Sequence, residues 1–355
     1  MKFSGLLRPI HDETLPSWLT RCALNPKVLG VSERVINEWE SLDNRKRLFS
    51  FAGLGMEFDF DDSRGLELAR ELKLNVCIIK KIFSPTSTLL LSPKYRAAYC
   101  HLCIKSDVLQ KRFPSWRKSW CYVTQTYCPI HWCLLSYLDG YPILDKQWNA
   151  YVRGDLGDYY QGRKGSSYTR RHMHGLTPNN IRAWLTLRVQ MWINKINCSK
   201  YCVLPGTDVP VDCTKLTSAV NFILRLFLVP RTDRNRSGVA KQLLTASNPL
   251  IVHKVLDLNE RLDYGASNSV PYERMCALLL LGKIFNIFSP KEYLMFEQMV
   301  LNSEFDFPDS KTLGELSAEH VNAVEYSTLE RQLGSLDIVS DYLSDFIEGI
   351  LWQPE

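Results

Sequence analysis

No stretch of this 355-residue sequence reaches eighteen uninterrupted apolar residues, the length that a membrane-crossing helix needs. The nearest approach, CALLLLGKIFNIF at 276–288, is broken by Lys283. The opening MKFSGLLRPIHDETLPSW lacks the long apolar core of a secretory leader, and His11, Asp12 and Glu13 come too early for one. No Walker A motif, G-x-G-x-x-G fingerprint or H-E-x-x-H pair occurs. His11-Asp12-Glu13 matches the H-x-E half of a zinc deaminase, but no P-C-x-x-C follows. A thioredoxin-like site needs C-x-x-C at a strand-to-helix junction of a βαβ pattern, which the sequence does not offer. Internal repeats and low-complexity segments are missing too. These absences argue against an enzyme, against a membrane span and for a cytoplasmic protein.

The apolar content of 45% is ordinary for a globular chain, and the length suffices for two or three domains with real cores. Eleven cysteines, an odd number, stand without a leader sequence, some in C-x-x-C and C-x-x-H spacing. That combination argues against a disulfide framework and for metal ligation beside buried thiols in a reducing compartment. The net charge of +5 conceals an asymmetry, because residues 301–355 hold twelve acids against Lys311 and Arg331. Residues 92–131 hold seven bases, Lys94, Arg96, Lys105, Lys111, Arg112, Arg117 and Lys118, against Asp107 alone. Two more basic clusters follow, Arg163, Lys164, Arg170 and Arg171, then Arg231, Arg234 and Arg236. Such blocks suit a polyanion, or simply form solvated faces.

The predicted fold is mainly α and multi-domain, with helical N- and C-terminal parts and a small zinc-binding module of ββ type. Residues 1–90 read as helical, with Ser32 and Ser63 as caps of periodic runs. Residues 91–145 form the zinc-binding module, with CYVTQTY and CLLSYL as short strands and LDGYP as a turn. Residues 146–176 read as a basic loop. Residues 177–355 read as a helical domain with an acidic tail. Thr177 and Pro178 open a helix in which Trp184, Leu187, Met191 and Ile196 share one face. Ser289, Pro290 and Glu292 spell a capping box.

Chemistry concentrates at YCHLC (99–103) and YCPIH (127–131). Cys100, Cys103, Cys128 and His131 supply two close pairs, each able to wrap half of a tetrahedral Zn(II). The segment between the pairs has few aliphatic residues, and one structural ion would drive its folding. Four protein ligands leave no open position for water, so such an ion is structural. The other reading is of scattered buried thiols, since Cys22, Cys77, Cys121, Cys133, Cys198, Cys202 and Cys213 show that the chain tolerates them. His101 is set aside because adjacent residues rarely ligate one ion, and Cys133 reads as core. Trp116 and Trp120, one helical turn apart, either pack within the module or anchor a loop whose Arg117 and Lys118 face phosphate.

At these residues the chain resembles the TniQ/TnsD family of transposon target-selection proteins. The family's E-S-L-x-S-W-L-x-R stretch stands here as DETLPSWLTR, residues 12–21. Its zinc motif stands as YCHLC, PSWRKSW, YCPIH and CLLSYL, and the likeness covers about residues 1–140. The ligands carry over as Cys100, Cys103, Cys128 and His131. Many relatives have a second zinc knuckle, but residues 140–197 contain no cysteine, which implies one Zn(II). Attachment-site readers of the family carry a longer C-terminal DNA-binding region than this chain.

The resemblance implies an adaptor of DNA transposition and recombination rather than a catalyst. Such proteins mark a target and recruit an AAA+ transposition regulator of the TnsC/TniB kind, which brings the transposase. In CRISPR-associated transposons they dock, often as dimers, on an effector with guide RNA such as Cascade, and the length of this chain favours that subgroup. Candidate nucleic-acid contacts are Arg112, Arg117, Lys118, Arg163, Lys164, Arg170 and Arg171. RTDRNRSGVAKQLL at 231–244, with Ser237 as cap and Lys241 exposed, opens either a helix-turn-helix or a plain capped core helix. The acidic tail either meets a basic partner or is a solvated face. The competing function is a self-sufficient, sequence-specific DNA-binding zinc protein.

Overall fold

The computed structural model describes residues 7–23, 75–86, 89–92, 95–138, 146–154, 181–232, 238–240, 251–252, 256–300, 308–334 and 341–352. Ser32, Ser63, Thr177, Pro178, Ser237, Lys241 and, of the LDGYP turn, residues 139–142 lie outside these residues. The described chain is mainly helical, with three two-stranded ladders. No described helix is long and apolar enough to cross a membrane. The backbone forms two compact units, one of residues 1–122 and 135–160, the other of 123–134 and 161–355.

In the first unit, α1 (Leu15–Ala23) and α2 (Val76–Phe83) precede β1 (Ala98–Tyr99), which leads directly into α3 (His101–Leu109). Asn75 caps α2 by accepting from the Cys77 and Ile78 amides. A 3-10 turn at Lys118–Cys121 follows, then β2 (Ser136–Tyr137), antiparallel to β1 with Ala98 opposite Tyr137. CLLSYL thus supplies a strand as expected, whereas CYVTQTY makes only single bridges, Tyr122 to Leu90 and Tyr127 to Leu134. Helix α4 (Lys146–Arg153) occupies the start of the stretch read as a loop. Buried Gln147 and Ala150 give it a packed face, and Trp148 meets Phe113 edge-on at 6.1 Å.

In the second unit, α5 (Ile181–Cys198) leads to a hairpin of β3 (Tyr201–Val203) and β4 (Pro210–Asp212). Then come α6 (Cys213–Phe227), a short parallel pair of β5 (Arg231–Thr232) and β6 (Ile251–Val252), α7 (Leu258–Ser267) and α8 (Pro271–Ile284). Helix α8 is buried on every side except at Tyr272, and its sequence is accordingly mostly apolar, with Glu273, Arg274 and Lys283 as its buried charged residues. Its Gly282 lets it approach α5 closely, since a Cβ there would stand 2.7 Å from Val189 Cγ2. The capping box at the start of α9 (Pro290–Val300) is present as predicted, with Ser289 and Glu292 bonded reciprocally.

The acidic tail forms α10 (Ser310–Ala318), α11 (Ala323–Gly334) and α12 (Ser344–Leu351). Glu325 turns inward to the buried Arg261 at 2.5 Å, while Glu330, Asp341 and Asp345 are solvated. Helices α10 and α12 cross at glycines, because a Cβ on Gly349 would lie 1.9 Å from the Lys311 carbonyl oxygen and one on Gly314 2.2 Å from that of Phe346. Alanine raises helix propensity by about 1 kcal/mol, yet the clash with backbone outweighs that gain. Gly349→Ala is therefore expected to lower the urea midpoint by an amount equivalent to about 2 kcal/mol or more. Gly334→Ala, where a Cβ meets nothing within 4 Å, should leave the midpoint unchanged or raised.

Candidate metal centre

Strand β1 delivers the chain to Cys100, whose backbone is still extended (φ −95°, ψ 112°). The helix begins one residue later, so Cys100 is the cap of α3, and its Sγ accepts from the Cys103 amide at 3.4 Å. The C-x-x-C spacing thus places both thiols at the positive end of a helix, where a thiolate is favoured. The pair does stand at a strand-to-helix junction, but the strand is antiparallel to its neighbour and no βαβ unit surrounds it among the described residues.

Cys128 and His131 belong to a tight turn closed by the Tyr127–Leu134 bridge. The Cys128 amide donates to Cys133 O at 2.9 Å and the Trp132 amide to Cys128 O at 2.7 Å. Reversing the chain in so few residues puts Trp132 at φ +53°, a region few side chains adopt. Its indole Nε1 holds that shape by donating to Pro129 O at 2.8 Å. The turn leaves Cys128 Sγ 3.7 Å from His131 Nδ1.

The three sulfurs and one imidazole nitrogen all lie within 4.8 Å of one another, with the cysteines buried and His131 half-buried. Ligands about 2.3 Å from a tetrahedral ion stand roughly 3.8 Å apart, so one ion can span this set. The four residues can hold a metal ion, and no other such cluster occurs among the described residues. His101, Cys121 and Cys133 stand outside it, as the sequence reading expects. The Cys121 thiol lies 3.7 Å from Arg117 O. Burial pushes the Cys22 thiol up to about 11 and the Cys276 thiol up to about 12, which keeps both neutral.

The loop between the pairs is braced by the DETLPSWLTR segment. Thr14 N donates to Trp116 O, and Trp116 N to Ser17 Oγ, both at 2.9 Å. Lys118 N donates to Asp12 O at 2.6 Å, and Ser119 N to Asp12 Oδ2 at 3.1 Å. Behind this seam Glu13, 1% exposed, accepts from Ser17 Oγ at 2.9 Å and from Arg21 Nε and Nη2, each at 2.7 Å. Trp18 is buried against Phe83, with ring centroids 5.3 Å apart, and donates to Leu7 O. Asp107 closes the loop from the other side, accepting from the Ser115 amide and hydroxyl and pairing with Arg117 at 3.2 Å. Trp116 and Trp120 are buried and meet edge-on at 5.4 Å, which is the packed reading. The bonds of Glu13 and Asp107 leave no spacing motif in the sequence that would mark them.

The same contacts occupy two of the nucleic-acid candidates. Arg117 is spent on Asp107 and on His11 O at 2.9 Å. Lys118 is buried, and its Nζ donates to Ile82 O at 2.8 Å and Ser84 O at 3.2 Å; burial lowers its pKa. Lys118 is turned into the protein, and Arg117 is half-buried. Arg112 is exposed, as are Lys105 and Lys111. Arg163, Lys164, Arg170, Arg171, Arg234 and Arg236 lie outside the described residues. A correction concerns α5, where Leu187 and Ile196 are buried but Trp184 and Met191 are 51% and 68% exposed. Trp184 instead meets Trp132 at 6.4 Å and donates to Glu292, which also binds Arg188 at 2.6 Å.

No family model, no curated protein and no solved structure matches this chain.

Proposed function

We propose that the chain is a non-catalytic adaptor of DNA transposition whose Cys100, Cys103, Cys128 and His131 hold one structural Zn(II). The observation that carries this reading is the closed donor set, three thiols and one imidazole within 4.8 Å. Sulfur-rich tetrahedral sites favour zinc over hard cations, and four protein ligands leave no place for a substrate or water. When bound, the ion supplies no reaction; it fixes the start of α3 and the Cys128–His131 turn in one shape.

The adaptor reading adds the order of motifs to that centre. The bonded seam between residues 12–18 and 116–119 gives a physical reason for the DETLPSWLTR pattern in a TniQ-like protein. Exposed Lys105, Lys111 and Arg112 suit the backbone of DNA or guide RNA, each contact adding a counterion-release contribution. The partners proposed are a TnsC/TniB-like AAA+ regulator, a CRISPR effector with guide RNA such as Cascade, and a second copy of the chain.

Co-purification tests the reading directly: the tagged chain should retain an AAA+ regulator of the TnsC/TniB kind and a CRISPR effector complex. Failure to retain either would sink it. A gel shift with the purified chain addresses the competing function. Weak, salt-sensitive binding to any duplex fits the adaptor, whereas tight discrimination of one sequence over random DNA fits a self-sufficient DNA reader.

The recruiting surface is assigned to the outer face of α5, where Trp184, Arg188 and Met191 recur at helical spacing beside Trp132. Exposed Trp, Met and Arg are the residue types that anchor protein interfaces. The double change Trp184→Ala and Met191→Ala should weaken regulator binding at least about tenfold. Its melting temperature should stay at the wild-type value. Unchanged binding would place recruitment elsewhere.

A further inference from the structure

The turn that carries Cys128 and His131 has only one strand bridge of its own. The residues leading into it take their partners from a side chain. Gln190, in the middle of α5, is 2% exposed. Its Oε1 accepts from Thr126 N at 2.9 Å, Thr126 Oγ1 at 2.9 Å and Tyr127 N at 2.8 Å. Its Nε2 donates to Tyr127 O at 3.1 Å. One amide therefore offers residues 126 and 127 both the acceptor and the donor that a neighbouring strand would provide. Water does not reach these buried groups, so losing the amide leaves backbone donors without partners. Tyr127 is further fixed by Gln125 Nε2, which donates to its carbonyl at 2.6 Å, and by its hydroxyl at 3.4 Å from Met275 Sδ.

The residue after this clamped peptide is Cys128. We infer that Gln190 is a positioning residue for the metal centre: it does not ligate, but it fixes the Tyr127–Cys128 peptide and so sets where Cys128 Sγ stands. The inference rests on the metal reading above. Residues that orient metal ligands typically alter affinity by about 10- to 100-fold when replaced. Simple helix packing makes a different prediction. Ile193, on the same helix and 1% exposed, packs as deeply but is apolar and makes no bond to residues 126–127.

The test is Zn(II) affinity of the full chain, read by competition with a chromophoric chelator. Gln190→Met, which keeps the volume and removes the amide, should bind zinc about 10- to 100-fold more weakly and yield it faster. Thr126→Val, which deletes one hydroxyl bond, should weaken zinc by a smaller factor in the same direction. Ile193→Val should lower the melting temperature while zinc affinity stays within about twofold of wild type. Wild-type affinity in Gln190→Met overturns the inference, as does an equal loss in Ile193→Val. If Gln190→Met does not fold, Thr126→Val against Ile193→Val reads the same comparison. A wild-type chain that binds no zinc sinks the metal reading itself, whereas wild-type binding with unaffected variants sinks only the role of Gln190.

Discussion

A chain carrying Cys128→Ser is expected to retain essentially no zinc after dialysis, where the wild type keeps one ion per chain. Serine replaces a thiolate by a hydroxyl that stays protonated, leaving two thiols and one imidazole for the ion. Zinc contributes about 10–16 kcal/mol of apparent binding energy in zinc-finger peptides, which exceeds the net stability of most domains. Losing even about 4 kcal/mol of it should lower the melting temperature by roughly 10 °C for a unit of this size. Elemental analysis and scanning calorimetry read the two effects, and chelator-treated wild type should melt with the variant. His101→Ala is the matched control and should keep its ion, because His101 stands outside the cluster. A Cys128→Ser chain that stays folded but loses a turnover activity would overthrow the structural assignment.

Glu13→Ala is expected to cost about 3–5 kcal/mol, the typical price of stranding one partner of a buried ion pair. Arg21 loses both of its 2.7 Å carboxylate bonds, with only Arg8 O at 3.2 Å left to it among the bonds described. Ser17 loses the acceptor that orients its hydroxyl toward Trp116. Chemical denaturation should show the lowered midpoint. Pairing Glu13→Leu with Arg21→Met should recover most of the loss, since apolar residues of similar volume often replace a buried pair without cost. Failure of the double variant to recover would mean that Glu13 acts mainly through Ser17 and the seam.

The four residues of the candidate metal centre were legible because metal chemistry imposes short, regular spacing that survives without any knowledge of the fold. The capping box at Ser289 was legible for the same reason: it is local. What escaped was decided across long separations. Lys118 looks like a phosphate ligand in sequence, and only the carbonyls of Ile82 and Ser84 reveal that it is buried. Trp184 and Met191 fit an apolar stripe, but α5 is turned so that Gln190, a polar residue, faces inward while they face water. Periodicity gives the angular spacing of a helix, not which face the neighbours claim. Helix α4 was hidden because its buried face is only Gln147 and Ala150.

The seam between Ser17 and Trp116 also has a consequence in time. Its partners are 99 residues apart in the chain. Translation proceeds at about 5–20 residues per second, so the N-terminal segment waits on the order of 5–20 seconds for its partner to leave the ribosome. During that interval Thr14 N and Ser17 Oγ have no Trp116 backbone to bond. The candidate ligand set is complete only after His131 has emerged, a dozen residues later than the seam. Synthesis therefore presents the amino-terminal segment before the partners of its seam exist, and the four candidate ligands are the last of these parts to be complete.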